Sequence, residues 1–98
     1  MAEIRWTREA ANRLEEIHDY IAQESPSRAA KVISGIYQKV QLLRSFPELG
    51  HKYKSEPEGD IRILLYGHYR IAYMIKGEGT IEILGVFHGA MDIERYII

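Results

Sequence analysis

The 98-residue sequence contains no cysteine. That absence removes disulfide frameworks, thiolate zinc sites and thiol nucleophiles together, and it fits a reducing compartment. Long apolar runs are missing too: stretches such as Ile63 to Leu65 are far too short to span a bilayer, so no membrane partner is expected. There is no excess of charge of one sign, since 13 Lys and Arg stand against 14 Asp and Glu for a formal net charge of −1. A protein that gains affinity by neutralising many phosphates usually carries a local surplus of cations. No Walker pattern or glycine-rich phosphate loop occurs, and Gly77-Glu78-Gly79 falls in a turn between two strand patterns. The four histidines, His18, His51, His68 and His88, lie at no spacing that builds a metal site. None of Ser25, Ser27, Ser34, Ser45 and Ser55 sits in a strand-to-helix elbow that would suit a nucleophile. No cofactor and no metal are expected. The first residues include Glu3 and Arg5 and carry no apolar stretch of signal-peptide length, which predicts a cytoplasmic protein.

What is present is the composition of one small globular domain over residues 1–98, with 46 % hydrophobic and 28 % charged residues. A chain of this size buries roughly 60 to 70 % of its unfolded surface, enough for a single core. Glu3 to Trp6 alternates polar and apolar residues as a short strand does. Thr7 is a candidate N-cap, and after it Ala10, Leu14, Ile17 and Ile21 recur at helical spacing, which predicts a helix from about Arg8 to Glu24. Ser25-Pro26 ends that helix and starts a second, whose face is Ala29, Ile33, Ile36, Val40 and Leu43. The connection is so short that the two helices must pack antiparallel. Gly35, inside the second helix, suggests a close approach to a neighbouring backbone.

Residues 46–60 read as a loop, beginning with Phe46-Pro47-Glu48-Leu49-Gly50 and carrying His51, Lys52, Tyr53 and Lys54. From Ile61 the period changes to two and β-branched and aromatic residues dominate, giving strands over Ile61 to Tyr66, Tyr69 to Ile75 and Thr80 to Phe87. Gly67-His68 has the composition of a two-residue hairpin turn with glycine first. Asp92 can cap a final short helical turn through Tyr96. The expected fold class is α+β: two layers, with an N-terminal strand and an antiparallel helical hairpin packed on a curved antiparallel sheet. The sheet face away from the helices is expected to lack cover from the chain itself.

The polar cluster on the sheet and its margins is the candidate functional surface: Arg62, Arg70, His88, Asp92, Arg95 and Tyr96, with Lys52, Tyr53 and Lys54 in the preceding loop. Alternation groups Arg62 with Leu64 and Tyr66, and Arg70 with Ala72 and Met74. Arginine in an apolar strand is costly unless it meets solvent, an anion or a partner. It can also lie along a solvated face with its stem over apolar surface.

Phe46-Pro47-Glu48-Leu49-Gly50, Ile61-Arg62, Tyr69-Arg70-Ile71-Ala72-Tyr73 and the run from Ile83 to Asp92, taken in this order, resemble the RelE/ParE superfamily of toxins from bacterial type II toxin-antitoxin systems. The resemblance covers nearly the whole chain. It implies a helical hairpin on a twisted antiparallel sheet, growth inhibition, a role of the plasmid-stabilisation kind, and a cognate antitoxin, ParD-like or other. The antitoxin's disordered C-terminal segment would fold onto the toxin, in a groove for which Tyr37, Leu42 and Tyr66 are candidates. Within the superfamily, ParE-like members inhibit DNA gyrase, whereas RelE-like members cleave mRNA on the ribosome. The resemblance is closer to the ParE-like branch, through the proline-glutamate-leucine-glycine loop and the His88-Gly89-Ala90-Met91-Asp92 ending. Met91 departs from that branch, where many members carry arginine. Under the ParE-like reading the polar cluster binds the target or a partner and has no catalytic residue. Under the RelE-like alternative, an endoribonuclease, Arg70, His88 and Tyr96 would be catalytic.

Overall fold

The computed structural model describes residues 2–89, 91 and 93–97, and of Glu78, Tyr96 and Ile97 the backbone alone. Strand β1 (Glu3–Trp6) leads into helix α1 (Arg8–Ala22), and α2 (Pro26–Gln41) follows after a short connection. Each helix starts where a side chain takes up a free amide: Thr7 Oγ1 accepts from Ala10 N–H, and Ser25 Oγ accepts from Arg28 N–H with Pro26 in the first turn. Such caps are worth about 1 kcal/mol each. Strands β2 (His51–Glu56), β3 (Gly59–Tyr66), β4 (Tyr69–Lys76) and β5 (Thr80–His88) follow, and a short helix α3 (Glu94–Ile97) closes the chain. The five strands form one sheet in the order β1-β5-β4-β3-β2.

The two-layer α+β arrangement is the expected one, with two differences in the sheet. Residues 51–56 are not loop but an edge strand, antiparallel to β3. Strand β1 joins β5 in parallel, Trp6 opposite Ile83, so the sheet is mixed rather than antiparallel throughout. Thr7 fixes that junction, because its backbone N–H and its hydroxyl both donate to the Ile83 carbonyl. The β3–β4 turn has two residues, with Gly67 at φ +56°, a backbone region that glycine enters without penalty.

This turn sets the register. Tyr66 pairs with Tyr69, Leu65 with Arg70, Leu64 with Ile71 and Arg62 with Tyr73. Paired residues point to one face of an antiparallel sheet. Leu64, Ile71 and Tyr73 therefore face the helices, where they join Ile36 and Val40 of α2, Leu43, and Ile81, Ile83 and Val86 of β5 in the main core. Each large aliphatic side chain fully buried there contributes about 1.5–3 kcal/mol.

The opposite face was expected to be bare, and it is not. Ile93, 3 % exposed, folds back from beyond β5 onto Ile63, Ala72 and Phe87 to make a second, smaller core. Towards the other end of that face, the ion pairs Lys54–Glu56 and Lys76–Glu82 lie beside Ile61 and Met74. Leu65, 55 % exposed, is the large aliphatic side chain that this cover leaves in solvent.

Candidate functional site

The strand register separates residues that lie close together in the sequence. Arg62, paired with Tyr73, is on the helix-side face, whereas Arg70, paired with Leu65 on one side and Phe87 on the other, is on the opposite face. His88 pairs with Tyr69 and so returns to the helix side. The described strand candidates Arg62, Arg70 and His88 therefore do not share one face. Arg95 is exposed on α3, Asp92 lies outside the described residues, and so does the side chain of Tyr96.

Both strand arginines bind the protein's own backbone. Arg62 Nη1 donates to the carbonyls of Glu48 (3.3 Å) and Gly50 (2.5 Å). Arg70 Nη2 donates to the carbonyls of Gly89 (3.2 Å) and Met91 (2.5 Å). The Nε atoms of both are buried without a hydrogen-bond partner among the described residues. Hydrogen bonds from a charged donor are roughly twice as strong as neutral ones, which suits them to fastening loop backbone.

Sequence reasoning missed Tyr73, which completes the first of these clamps. Its hydroxyl accepts from Gly50 N–H at 2.9 Å and donates to the Pro47 carbonyl at 2.7 Å. Burial pushes the phenol above its ordinary value of 10.0, against opposing effects of the Gly50 hydrogen bond and the Arg62 charge. It stays protonated, as donation to Pro47 requires. The clamped loop presents Phe46, 60 % exposed, and Leu49 to solvent. A tyrosine in the middle of an apolar strand is the sequence signal, since a buried hydroxyl needs a partner.

The lysines are also divided. Lys52 pairs with Arg62 and Lys54 with Ile61, so the bulge at Tyr53 sends them to different faces. Lys52 then reaches Asp60 at 3.8 Å and Lys54 reaches Glu56 at 3.6 Å.

On the helix side, His88 stacks near His68 (ring centroids 6.3 Å apart) and meets Tyr69 edge-on at 5.8 Å. With Tyr20 and Arg28 they border a cleft of about 360 Å³ between the sheet end and the helical connection. A second, more apolar groove runs over the helical pair, where Trp6 and Tyr37 stack at 6.2 Å beside Leu14 and Ile33. Tyr37 and Leu42 are exposed, but Tyr66 packs against the main core. Among the described residues no three His, Cys, Asp or Glu side chains gather as metal ligands. Among the same residues, no helix is long and apolar enough to cross a membrane.

Comparison with known proteins agrees with this architecture. A family model described as "ParE toxin of type II toxin-antitoxin system, parDE" matches residues 4–93. A protein of Sinorhizobium fredii named "Putative toxin Y4kP" is 35 % identical over 85 residues, which cover 87 % of this chain and 85 % of that protein. A chain of the structure described as "Chromosomal ParDE TA system from P. aeruginosa" superposes with a TM-score of 0.73 at 30 % identity, covering 90 % of this chain and 96 % of that one. A chain of the RelBE2 toxin-antitoxin complex from Mycobacterium tuberculosis does so with a TM-score of 0.59 at 26 % identity, covering 89 % and 96 %.

Proposed function

Because this chain belongs to the ParE toxin family of type II toxin-antitoxin systems, we propose that it arrests growth by binding DNA gyrase and performs no bond-breaking chemistry of its own. The observation that carries the reading is the placement of Arg70 and His88. Cleavage of RNA at a ribose 2′-hydroxyl needs a base, an acid and cations converging within hydrogen-bond reach of one phosphate. Arg70 and His88 project from opposite faces of the sheet, and Arg70 is engaged with backbone carbonyls. Lys52 and Lys54, the nearby cations, are split in the same way. The net charge of −1 also suits a protein partner better than ribosomal RNA.

The target contact is proposed to lie on the C-terminal segment beyond β5, where Arg95 is exposed on α3. A cognate antitoxin is the second partner, in keeping with the toxin-antitoxin systems from which the similar structures come. Its apolar segment would occupy the Trp6–Tyr37 groove, where apolar area is available to offset the ordering of a disordered chain. The test is induced expression with DNA supercoiling and mRNA integrity followed in the same cells. Broken or relaxed DNA with intact messenger is expected. Rapid messenger cleavage over undamaged DNA would replace this reading with the RelE-like one.

A further inference from the structure

We propose that Arg70 is a positioning residue: it fastens the C-terminal segment against the sheet and does not touch the target itself. The inference rests on the reading that this segment carries the target contact. Strand β5 ends at His88, so the carbonyls of Gly89 and Met91 lie beyond its ladder. Arg70 Nη2 supplies a donor to both of them, at 3.2 Å and 2.5 Å. A single guanidinium nitrogen thus fixes the spacing of two carbonyls on either side of position 90. The side chain leaves β4 between Leu65 and Phe87, and its Nε is buried, so part of its donor fork is turned inward.

Two further fasteners hold the same segment. Gly89 N–H donates to the His68 carbonyl at the β3–β4 turn, at 2.7 Å. Ile93, after the Arg70 clamp, inserts against Ile63, Ala72 and Phe87. The polar clamp and the apolar anchor act in series, and α3 begins directly after the anchor. Releasing either one should free the path of α3 while the helical hairpin and the β3–β4 pair keep their own core. A residue that recognises the target through its charge would behave differently, because the segment would stay ordered without it.

The experiment compares Arg70→Ala, Arg70→Lys and Ile93→Ala with the wild-type chain by amide hydrogen exchange and by growth arrest on induced expression. The positioning role predicts faster exchange at residues 89–97 by about tenfold or more in both alanine variants, with α2 and β4 amides unchanged. Growth arrest should weaken in both, although Ile93→Ala removes no charge. Arg70→Lys keeps the charge and a terminal nitrogen donor but places it on a shorter stem than Nη2, so it should fall between wild type and Arg70→Ala in both readouts. Loss of arrest in Arg70→Ala with unchanged exchange at residues 89–97 would make Arg70 a contact residue and overturn the proposal. Full arrest in Ile93→Ala or Arg70→Ala despite a loosened segment would overturn it as well. If Arg70→Ala does not fold, the Ile93→Ala and Arg70→Lys pair decides by the same criteria. A supercoiling assay with wild-type protein scores the gyrase reading separately, because arrest and exchange make no reference to which target is hit.

Discussion

The ring of Tyr66 occupies the space that a β-carbon on Gly35 would need: such an atom would overlap both Oη and Cζ of the tyrosine. The glycine in α2 thus exists for a side chain reaching up from β3, not for a neighbouring backbone. Alanine in place of glycine inside a helix ordinarily adds about 1 kcal/mol of stability. Gly35→Ala is expected to lower stability instead, because Tyr66 must leave its place against the main core. In a Tyr66→Ala background the same change should turn neutral or stabilising. Urea denaturation of the four variants measures the coupling, and additive effects would contradict the contact.

Tyr73→Phe should cost about 1–3 kcal/mol, since Gly50 N–H and the Pro47 carbonyl both lose their partner in a buried place. The pH dependence has a defined sign. A phenol whose folded-state pKa lies above its unfolded value contributes fully below about pH 10 and loses that contribution as the pH rises towards the folded-state value. The stability gap between wild type and Tyr73→Phe should therefore narrow above about pH 10. A gap that stays constant to higher pH would mean that the phenol is not perturbed by burial.

Lys52→Ala and Lys54→Ala remove two solvent-accessible ion pairs on different faces of the sheet, Lys52–Asp60 the more exposed and Lys54–Glu56 half-buried. Each should change stability by no more than about 0.5–1 kcal/mol, as exposed pairs generally do. Because neither lysine is placed at the proposed target contact, the double variant should arrest growth as the wild type does. A strong loss of arrest, with folding confirmed by circular dichroism, would point to phosphate contacts and to the RNA-cleaving alternative.

Much of the architecture was legible because the apolar spacing is regular. Ala10, Leu14, Ile17 and Ile21 on α1 recur at helical spacing, Ser25-Pro26 marks a boundary by its own capping chemistry, and β-branched and aromatic residues mark β3 and β4 although both faces of those strands are apolar. Strand β2 was not legible: His51 to Glu56 is a charged edge strand, and its bulge at Tyr53 breaks the alternation that would have marked it. The parallel pairing of β1 was hidden as well, because strand direction in a sheet leaves no trace in the period of a four-residue segment. The second core depends on Ile93, an apolar residue between two acidic ones, and two of its three partners, Ile63 on β3 and Ala72 on β4, lie well before it in the sequence. The division of the arginines was within reach. A two-residue turn at Gly67-His68 pairs Tyr66 with Tyr69, and counting outward from it puts Arg70 opposite Leu65 and Arg62 opposite Tyr73. What sequence could not reveal is that both guanidinium groups meet backbone carbonyls, since those carbonyls belong to loops whose path only the folded chain defines.

The central claim is that this toxin acts by binding and not by catalysis. The most direct test adds the purified, folded protein to gyrase with relaxed plasmid and, separately, to programmed ribosomes carrying messenger RNA. The account predicts loss of supercoiling or accumulation of cleaved DNA in the first reaction and intact messenger in the second. Ribosome-stimulated cleavage of messenger, with gyrase unaffected, would contradict it.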